Sequence, residues 1–185
     1  MIGYAFCGSF CTAAESMRIL GHLSANTPIR PIISANFAST DTRFGRAAEL
    51  VSRIEEICGN RAISTVAEAE PLGPAEPLDA LIIAPCTGNT LAKIAHGITD
   101  TAVTMAAKAH LRADRPLLIA LASNDAMSAN LENIARLSLR KNVYLVPMKQ
   151  DDPVKKPYTL VADFSLIPEA LNAAFEGRQL RPLFL

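Results

Sequence analysis

The stretch from Leu81 to Asp100 constrains the fold more than any other. Leu81-Ile82-Ile83-Ala84 is an unbroken apolar run, the pattern of a strand buried on both faces. Pro85 has no N–H to give a sheet ladder, so strand pairing is expected to stop there. Cys86-Thr87-Gly88-Asn89-Thr90 is small and polar, and Leu91, Ile94 and Ala95 then recur at helical spacing. A strand, a hydroxyl-rich turn and a helix form an anion site, because the first N–H groups of a helix have no partner of their own. Two readings of the turn stand side by side: a seat for a phosphate or the polar edge of a cofactor, or a plain turn with Thr or Asn as N-cap.

The same unit recurs along the chain. Ile2 to Cys7 reads as a strand, Gly8-Ser9-Phe10-Cys11-Thr12 as its turn, and Ala13 to His22 as a helix. One Gly does not make a G-x-G-x-x-G dinucleotide fingerprint, although Gly8-Ser9 suits a single phosphate as well as it suits a tight turn. Arg30 to Ser34 reads as a second strand, and Ala35 to Phe44 as a long polar loop. Thr40 or Asp41 is expected to cap a helix through Ala47, Leu50, Val51, Ile54 and Ile57 that stops at Gly59. Ala62 to Val66 reads as a short strand, and the proline-rich acidic stretch from Glu68 to Leu78 as a surface connection.

Beyond Leu81–Asp100, Asp100 or Thr99 is expected to cap an Ala-rich helix from Thr101 to Leu111. Its apolar character all round calls for burial, against the sheet or a second copy of the chain. Pro116 to Leu121 reads as a strand, Met127 to Leu139 as a helix, and Asn142 to Pro147 as the last strand. Met148 to Pro157 reads as a charged loop, Pro168 to Glu176 as a closing helix, and the tail to Leu185 as docked.

Alternating strands and helices predict an α/β fold: a flavodoxin-like, doubly wound parallel sheet with helices on both faces, in one domain spanning 1–185. Five loops after strands are small and polar: Gly8-Ser9, Ser34-Ala35-Asn36, Cys86 to Thr90, Ser123-Asn124-Asp125 and Gln150-Asp151-Asp152. In such sheets these loops share one edge, so a ligand pocket is expected there. It holds hydroxyls and amides but no evident nucleophile–base pair, which suits a cofactor that carries the chemistry itself.

Composition removes other classes. Eighteen basic residues balance eighteen acidic ones, so no net field favours nucleic acid or an acidic membrane. No apolar run reaches membrane-spanning length, and no basic segment precedes the first apolar residues, so no signal peptide is read. Cys7, Cys11, Cys58 and Cys86 lack the pairing or His companions of a zinc site, so no metal is expected and the thiols read as reduced.

The residues Ala84-Pro85-Cys86-Thr87-Gly88-Asn89-Thr90, running on through Leu91-Ala92-Lys93-Ile94-Ala95-His96-Gly97 to Asp100, resemble the proline–small–Ser–Ala–Asn–Thr motif of the flavoprotein superfamily of FMN-dependent cysteine decarboxylases. Gly8-Ser9 and Ser34 match that superfamily's first two FMN loops, and Ala122 to Met127 resembles its Pro–Ala–Met–Asn loop, with Ser123 in place of Met. Four segments resemble the dipicolinate synthase B-subunit family more closely: Ser39 to Gly45, Ala84 to Asp100, Val103 to Ala109, and Gln150 to Pro157.

The resemblance implies FMN as cofactor and a homo-oligomer built from trimers. It implies a partner, the A subunit of dipicolinate synthase, in the cytoplasm of the mother cell of a sporulating bacterium. It implies oxidation of dihydrodipicolinate to dipicolinate. Gly8, Ser9, Phe10, Ser34, Asn36, Pro85, Cys86, Thr87, Asn89, Thr90, Ser123 and Asn124 would then hold the flavin. Arg43, Lys155 and Lys156 are the cations for a dicarboxylate substrate, or else a solvated surface. Asp41, Asn89 and Asn124 are the candidates for the chemistry, although Asp41 also reads as a helix cap. His96 reads as a packed residue rather than a base. The stretch Pro71 to Pro77 lacks the His that the cysteine decarboxylases carry ahead of this strand, which argues against decarboxylation. A flavin-binding or structural partner without catalysis, a decarboxylase and a prenyl-flavin-type transferase are the alternatives.

Overall fold

In the computed structural model, which describes residues 1–73 and 75–185, five parallel strands carry the fold. They are β1 (Ile2–Phe6), β2 (Ile29–Ile33), β3 (Ala80–Cys86), β4 (Leu117–Ser123) and β5 (Val143–Leu145). Their order is β2-β1-β3-β4-β5. The helices are α1 (Ala13–Ser24), α2 (Ala35–Ser39), α3 (Ala47–Cys58), α4 (Val66–Ala69), α5 (Gly88–Ala95), α6 (Ala102–Arg112), α7 (Leu131–Ser138) and α8 (Ile167–Phe175).

Alternation along the buried strands divides the core in two. Leu81, Ile83, Leu117, Ile119 and Leu121 face one way, against Leu91 and Ile94 of α5, Val103 and Ala106 of α6, and Ile134 and Leu137 of α7. Ala80, Ile82, Ala84, Leu118 and Ala120 face the other way, against Met17 and Leu20 of α1, Ile54 of α3 and Leu171 of α8. Continuous apolar strands are the consequence of cover on both faces.

Several local readings change. β3 continues through Pro85 to Cys86; the proline shifts the register between Ile83 and Cys86 rather than ending the pairing. Half of the expected polar loop is α2, with the Ser34 hydroxyl accepting the Phe37 N–H at 3.2 Å and Phe37 fully buried. Asp41 does cap α3: its carboxylate accepts the Ala47 N–H at 2.8 Å, and Gly59 closes that helix at φ 62°.

The expected strand at Ala62–Val66 reduces to one bridge between Ile32 and Ile63, because Thr65 and Glu68 form a capping box that starts α4. The stretch expected as a surface connection is one in part: Glu68, Glu70 and residues 75–77 are exposed, but Ala69, Leu72 and Leu78 are buried in the core, while Pro74 lies outside the described residues. Helix α6 is capped by Thr101 with Thr104; Asp100 pairs instead with Lys93 at 2.8 Å. Helix α7 starts at Leu131, four residues late, because the Asp125 carbonyl accepts the N–H groups of Ser128 and Asn130 and holds the intervening chain in turns.

The largest correction concerns the charged loop. It is the tip of an antiparallel hairpin, β6 (Met148–Gln150) with β7 (Leu160–Ala162), and β7 pairs antiparallel with the end of β4 through Ala122 and Ser123. The sheet is therefore mixed. The tail docks as expected, with Met148 exchanging hydrogen bonds with Leu183 and Leu185.

Candidate functional site

The chain leaves β1 toward β2 on one side and returns to β3 on the other. The loops after β1 and β3 consequently diverge and open a crevice at the sheet's carboxyl edge. A cavity of about 700 Å³ occupies it, within the size range of small-molecule sites.

Three walls come from the sheet edge. Gly8, Ser9, Phe10, Cys11 and Thr12 follow β1. Thr87, Gly88 and Asn89 follow β3, where Thr87 caps α5 by accepting the Thr90 N–H at 3.2 Å. Ala122, Ser123, Asn124 and Asp125 end β4. A fourth wall is Thr42, Arg43 and Phe44, with the Arg43 guanidinium 4.8 Å above the Phe44 ring. The hairpin supplies the fifth: Asp151, Lys156, Thr159 and Val161, with Lys156 paired to Asp151.

The cavity unites Gly8, Ser9, Phe10, Thr87, Asn89, Ser123, Asn124, Arg43 and Lys156 of the expected residues. The others stand outside its lining. Ser34 is buried as the cap of α2, and Asn36 is exposed on that helix. Pro85 and Cys86 are buried within β3, and Thr90 is buried with its hydroxyl 3.1 Å from that of Thr87. Asp41 caps α3, and Lys155 is exposed in the turn closed by Asp152.

The lining also includes Gly88, Asp125 and Asp151, which lie in loops expected at this edge but were given no role, and Cys11, Thr12, Thr42, Phe44, Ala122, Thr159 and Val161, which sequence reasoning did not assign. For Thr159 and Val161 the signal was the apolar run Leu160-Val161-Ala162 behind the proline-bounded loop.

Behind the lining, burial pushes the Cys7 thiol up to about 11 and the Cys86 thiol well above its ordinary value. Both are poor nucleophiles at neutral pH, because the thiolate is the reactive form.

The residues fit FMN. The Thr87 cap takes the N–H groups of Thr90 and Leu91, which leaves those of Gly88 and Asn89 for a phosphate at the cavity wall, beside the uncharged Gly8–Thr12 loop. Phe10, Phe44, Ala122 and Val161 give apolar surface for a ring system. Arg43 and Lys156 stand on separate walls, Lys156 paired to Asp151.

The chain matches the model of the flavoprotein family over residues 9–165. It is 42% identical to the dipicolinate synthase B subunit of Bacillus subtilis (strain 168), over all of this chain and 92% of that protein. The crystal structure of the dipicolinate synthase B subunit from Bacillus halodurans C superposes with a TM-score of 0.89 at 37% identity, covering 100% of this chain and 95% of that one. The FMN-dependent cysteine decarboxylase SpaF superposes with a TM-score of 0.68 at 26% identity, covering 94% and 95%. The chain belongs to the flavoprotein family and, within it, to the dipicolinate synthase B subunits.

Proposed function

We propose that the chain binds FMN in the cavity and, with the A subunit of dipicolinate synthase, oxidises dihydrodipicolinate to dipicolinate. The observation that carries this is one crevice that sets the uncharged Gly8–Thr12 loop and the start of α5 opposite Arg43 and the Lys156–Asp151 pair. The full-length similarity to the B subunit of dipicolinate synthase supports it.

The loop from Gly8 to Thr12 and the start of α5 hold the phosphate end. Thr87, Asn89 and Asn124 hydrogen-bond the ribityl chain and ring edge. Bound there, FMN supplies a two-electron acceptor. Arg43 and Lys156 take the substrate's two carboxylates, which fixes the plane of the dihydropyridine ring. Phe10, Phe44 and Val161 keep water from the ring faces. The chain works in a homo-oligomer built from trimers; exposed Met127, Val154 and Tyr158 are apolar surface that such an assembly would cover.

The test is the visible spectrum of the FMN-saturated protein, recorded without air before and after adding dihydrodipicolinate, both in isolation and with the A subunit. A flavin band that bleaches is the expected result. A band unchanged even when the A subunit is present would remove the oxidation from this site. A protein that takes up no FMN would remove the flavin.

A further inference from the structure

Polar side chains from three parts of the fold form one chain that ends on a cavity carboxylate. Asp125 lines the cavity just past β4. Its Oδ1 accepts the Ser123 hydroxyl, and its Oδ2 accepts Asn130 Nδ2 at 2.9 Å. Asn130 Oδ1 accepts Asn133 Nδ2 at 2.9 Å, and Asn133 Oδ1 lies 3.1 Å from Nε2 of His96 on the far side. Arg136, paired with Glu132, ends the chain 3.4 Å from Nδ1 of His96.

The carboxylate sets the direction of every link. It can only accept, so Asn130 turns its amide nitrogen toward it. The oxygen of Asn130 then takes Asn133, and the oxygen of Asn133 takes the His96 N–H. Asn130 and Asn133 are 5% and 8% exposed. Burying two amides is unfavourable unless each polar atom is paired. A tie between α5 and α7 needs only His96 and Asn133. Extending it through Asn130 to a carboxylate that opens on the cavity serves the carboxylate. The other acid of the lining, Asp151, is neutralised by Lys156, whereas Asp125 has no ion-pair partner among the described residues.

We propose that Asp125 is the proton acceptor of the oxidation. This rests on the reading that a dihydropyridine dicarboxylate is oxidised in the cavity. Aromatising a 2,3-dihydropyridine ring breaks two C–H bonds on neighbouring sp3 carbons. One hydrogen leaves with its electron pair, as hydride, to a two-electron acceptor of the flavin class. The other leaves as a proton to a free lone pair of Asp125, and the electrons of its bond complete the aromatic ring. The substrate is oxidised, the acceptor is reduced, and the carboxylate becomes a carboxylic acid that returns its proton to water. The hydrogen bonds from Ser123 and Asn130 occupy one lone pair on each oxygen and fix the carboxylate's plane, which leaves lone pairs for the substrate.

The test uses the FMN-loaded protein with the A subunit, and two quantities: kcat for dihydrodipicolinate and the Kd for dipicolinate measured by calorimetry. Asp125→Asn is expected to lower kcat by about 10²–10⁴-fold, with the dipicolinate Kd within about threefold of the starting protein. An amide at 125 sets its nitrogen against that of Asn130, so the exchange Asp125→Asn with Asn130→Asp is made in parallel. It keeps every hydrogen bond of the chain and moves the negative charge away from the cavity. The exchange sets the charge at a 5% exposed position, so it is expected to melt below the starting protein while staying folded, and to be as slow as Asp125→Asn. An exchange variant that recovers full kcat would make Asp125 a structural tie and overturn the proposal. So would Asp125→Asn with undiminished kcat, or with dipicolinate binding lost in proportion to rate. A starting protein that neither binds dipicolinate nor oxidises the substrate would overturn the substrate reading itself, and the proposal with it.

Discussion

Gly88 is where the helix start, the cavity wall and the buried polar chain meet. A Cβ built on it would lie 2.4 Å from Ser123 Oγ, 2.6 Å from Asn130 Nδ2 and 2.8 Å from Asp125 Oδ1. Those atoms belong to side chains joined through the Asp125 carboxylate, Ser123 to its Oδ1 and Asn130 to its Oδ2, so none can swing aside alone. Gly88→Ala is therefore expected to destabilise the fold by about 1–3 kcal/mol, the usual range for overpacking, and to weaken FMN binding by opening the α5 turn. Thermal melting and FMN titration check both; a variant that melts and binds FMN as before would show that the network has slack. The turn's place at a helix start on the cavity wall could be read from its small residues and the apolar run before it. The network above it could not, because Ser123, Asn130, Asn133 and His96 are scattered over nearly forty residues of sequence and meet only through the packing of α5 against α7.

Among the elements, the β6–β7 hairpin decides whether the cavity has a basic wall. Its tip brings Lys156 and Asp151 to the sheet edge, because β7 pairs with the end of β4 at Ser123 and Leu160. Lys156 and Arg43 are both exposed, and the Lys156–Asp151 pair is a surface pair, worth little to stability. Lys156→Ala and Arg43→Ala are each expected to change stability by less than about 0.5 kcal/mol. Each is expected to weaken dipicolinate binding by about tenfold or more, from loss of a charge-assisted hydrogen bond worth roughly 1.5–3 kcal/mol. Calorimetry with dipicolinate distinguishes the two effects; unchanged affinity in both variants would move the substrate elsewhere.

The hairpin also marks the limit of what the sequence disclosed. The buried parallel strands were legible because four or five consecutive apolar residues need cover on both faces. Three-residue strands such as β6 and β7 carry too few side chains for a period to register, and the prolines and charges between them read as loop. Helix α2 was hidden for a similar reason: one turn capped by Ser34 looks like any polar loop until Phe37 is seen to be buried. The cavity residues contributed by the first three loops could be anticipated from the chain. Of those contributed by the hairpin, Asp151 and Lys156 could be named from the charged loop, whereas Thr159 and Val161 depended on a pairing between residues about forty positions apart.

For the whole molecule, buried titratable groups bound the pH range of stability from both sides. His110 is buried, its Nε2 lies 2.8 Å from the Pro116 carbonyl, and desolvation pushes its pKa below the usual value. The unfolded chain then takes up that proton first, so stability is full above about pH 6.5 and falls as pH drops through the lowered folded value. On the alkaline side, the Cys7 thiol titrates at about 11 in the fold and near 9 when unfolded, and Cys86 is raised further, both mainly by burial. The unfolded chain sheds those protons first, so stability is full below about pH 9 and declines above it. Urea melts are expected to show a maximum near pH 7–8 and a loss of about 1 kcal/mol or more for each thiol by pH 10. A stability flat from pH 5 to 10 would contradict this burial.

Flavin and dicarboxylate share one cavity in this reading, between the loop after β1, the start of α5 and the hairpin. The most direct measurement is a crystal structure of the protein grown with FMN and dipicolinate. The expected density has the FMN phosphate against Gly8–Thr12 and the first turn of α5, with the two carboxylates of dipicolinate at Arg43 and Lys156 and its ring beside Asp125. Dipicolinate bound away from the flavin, or a crevice that holds neither, would contradict it.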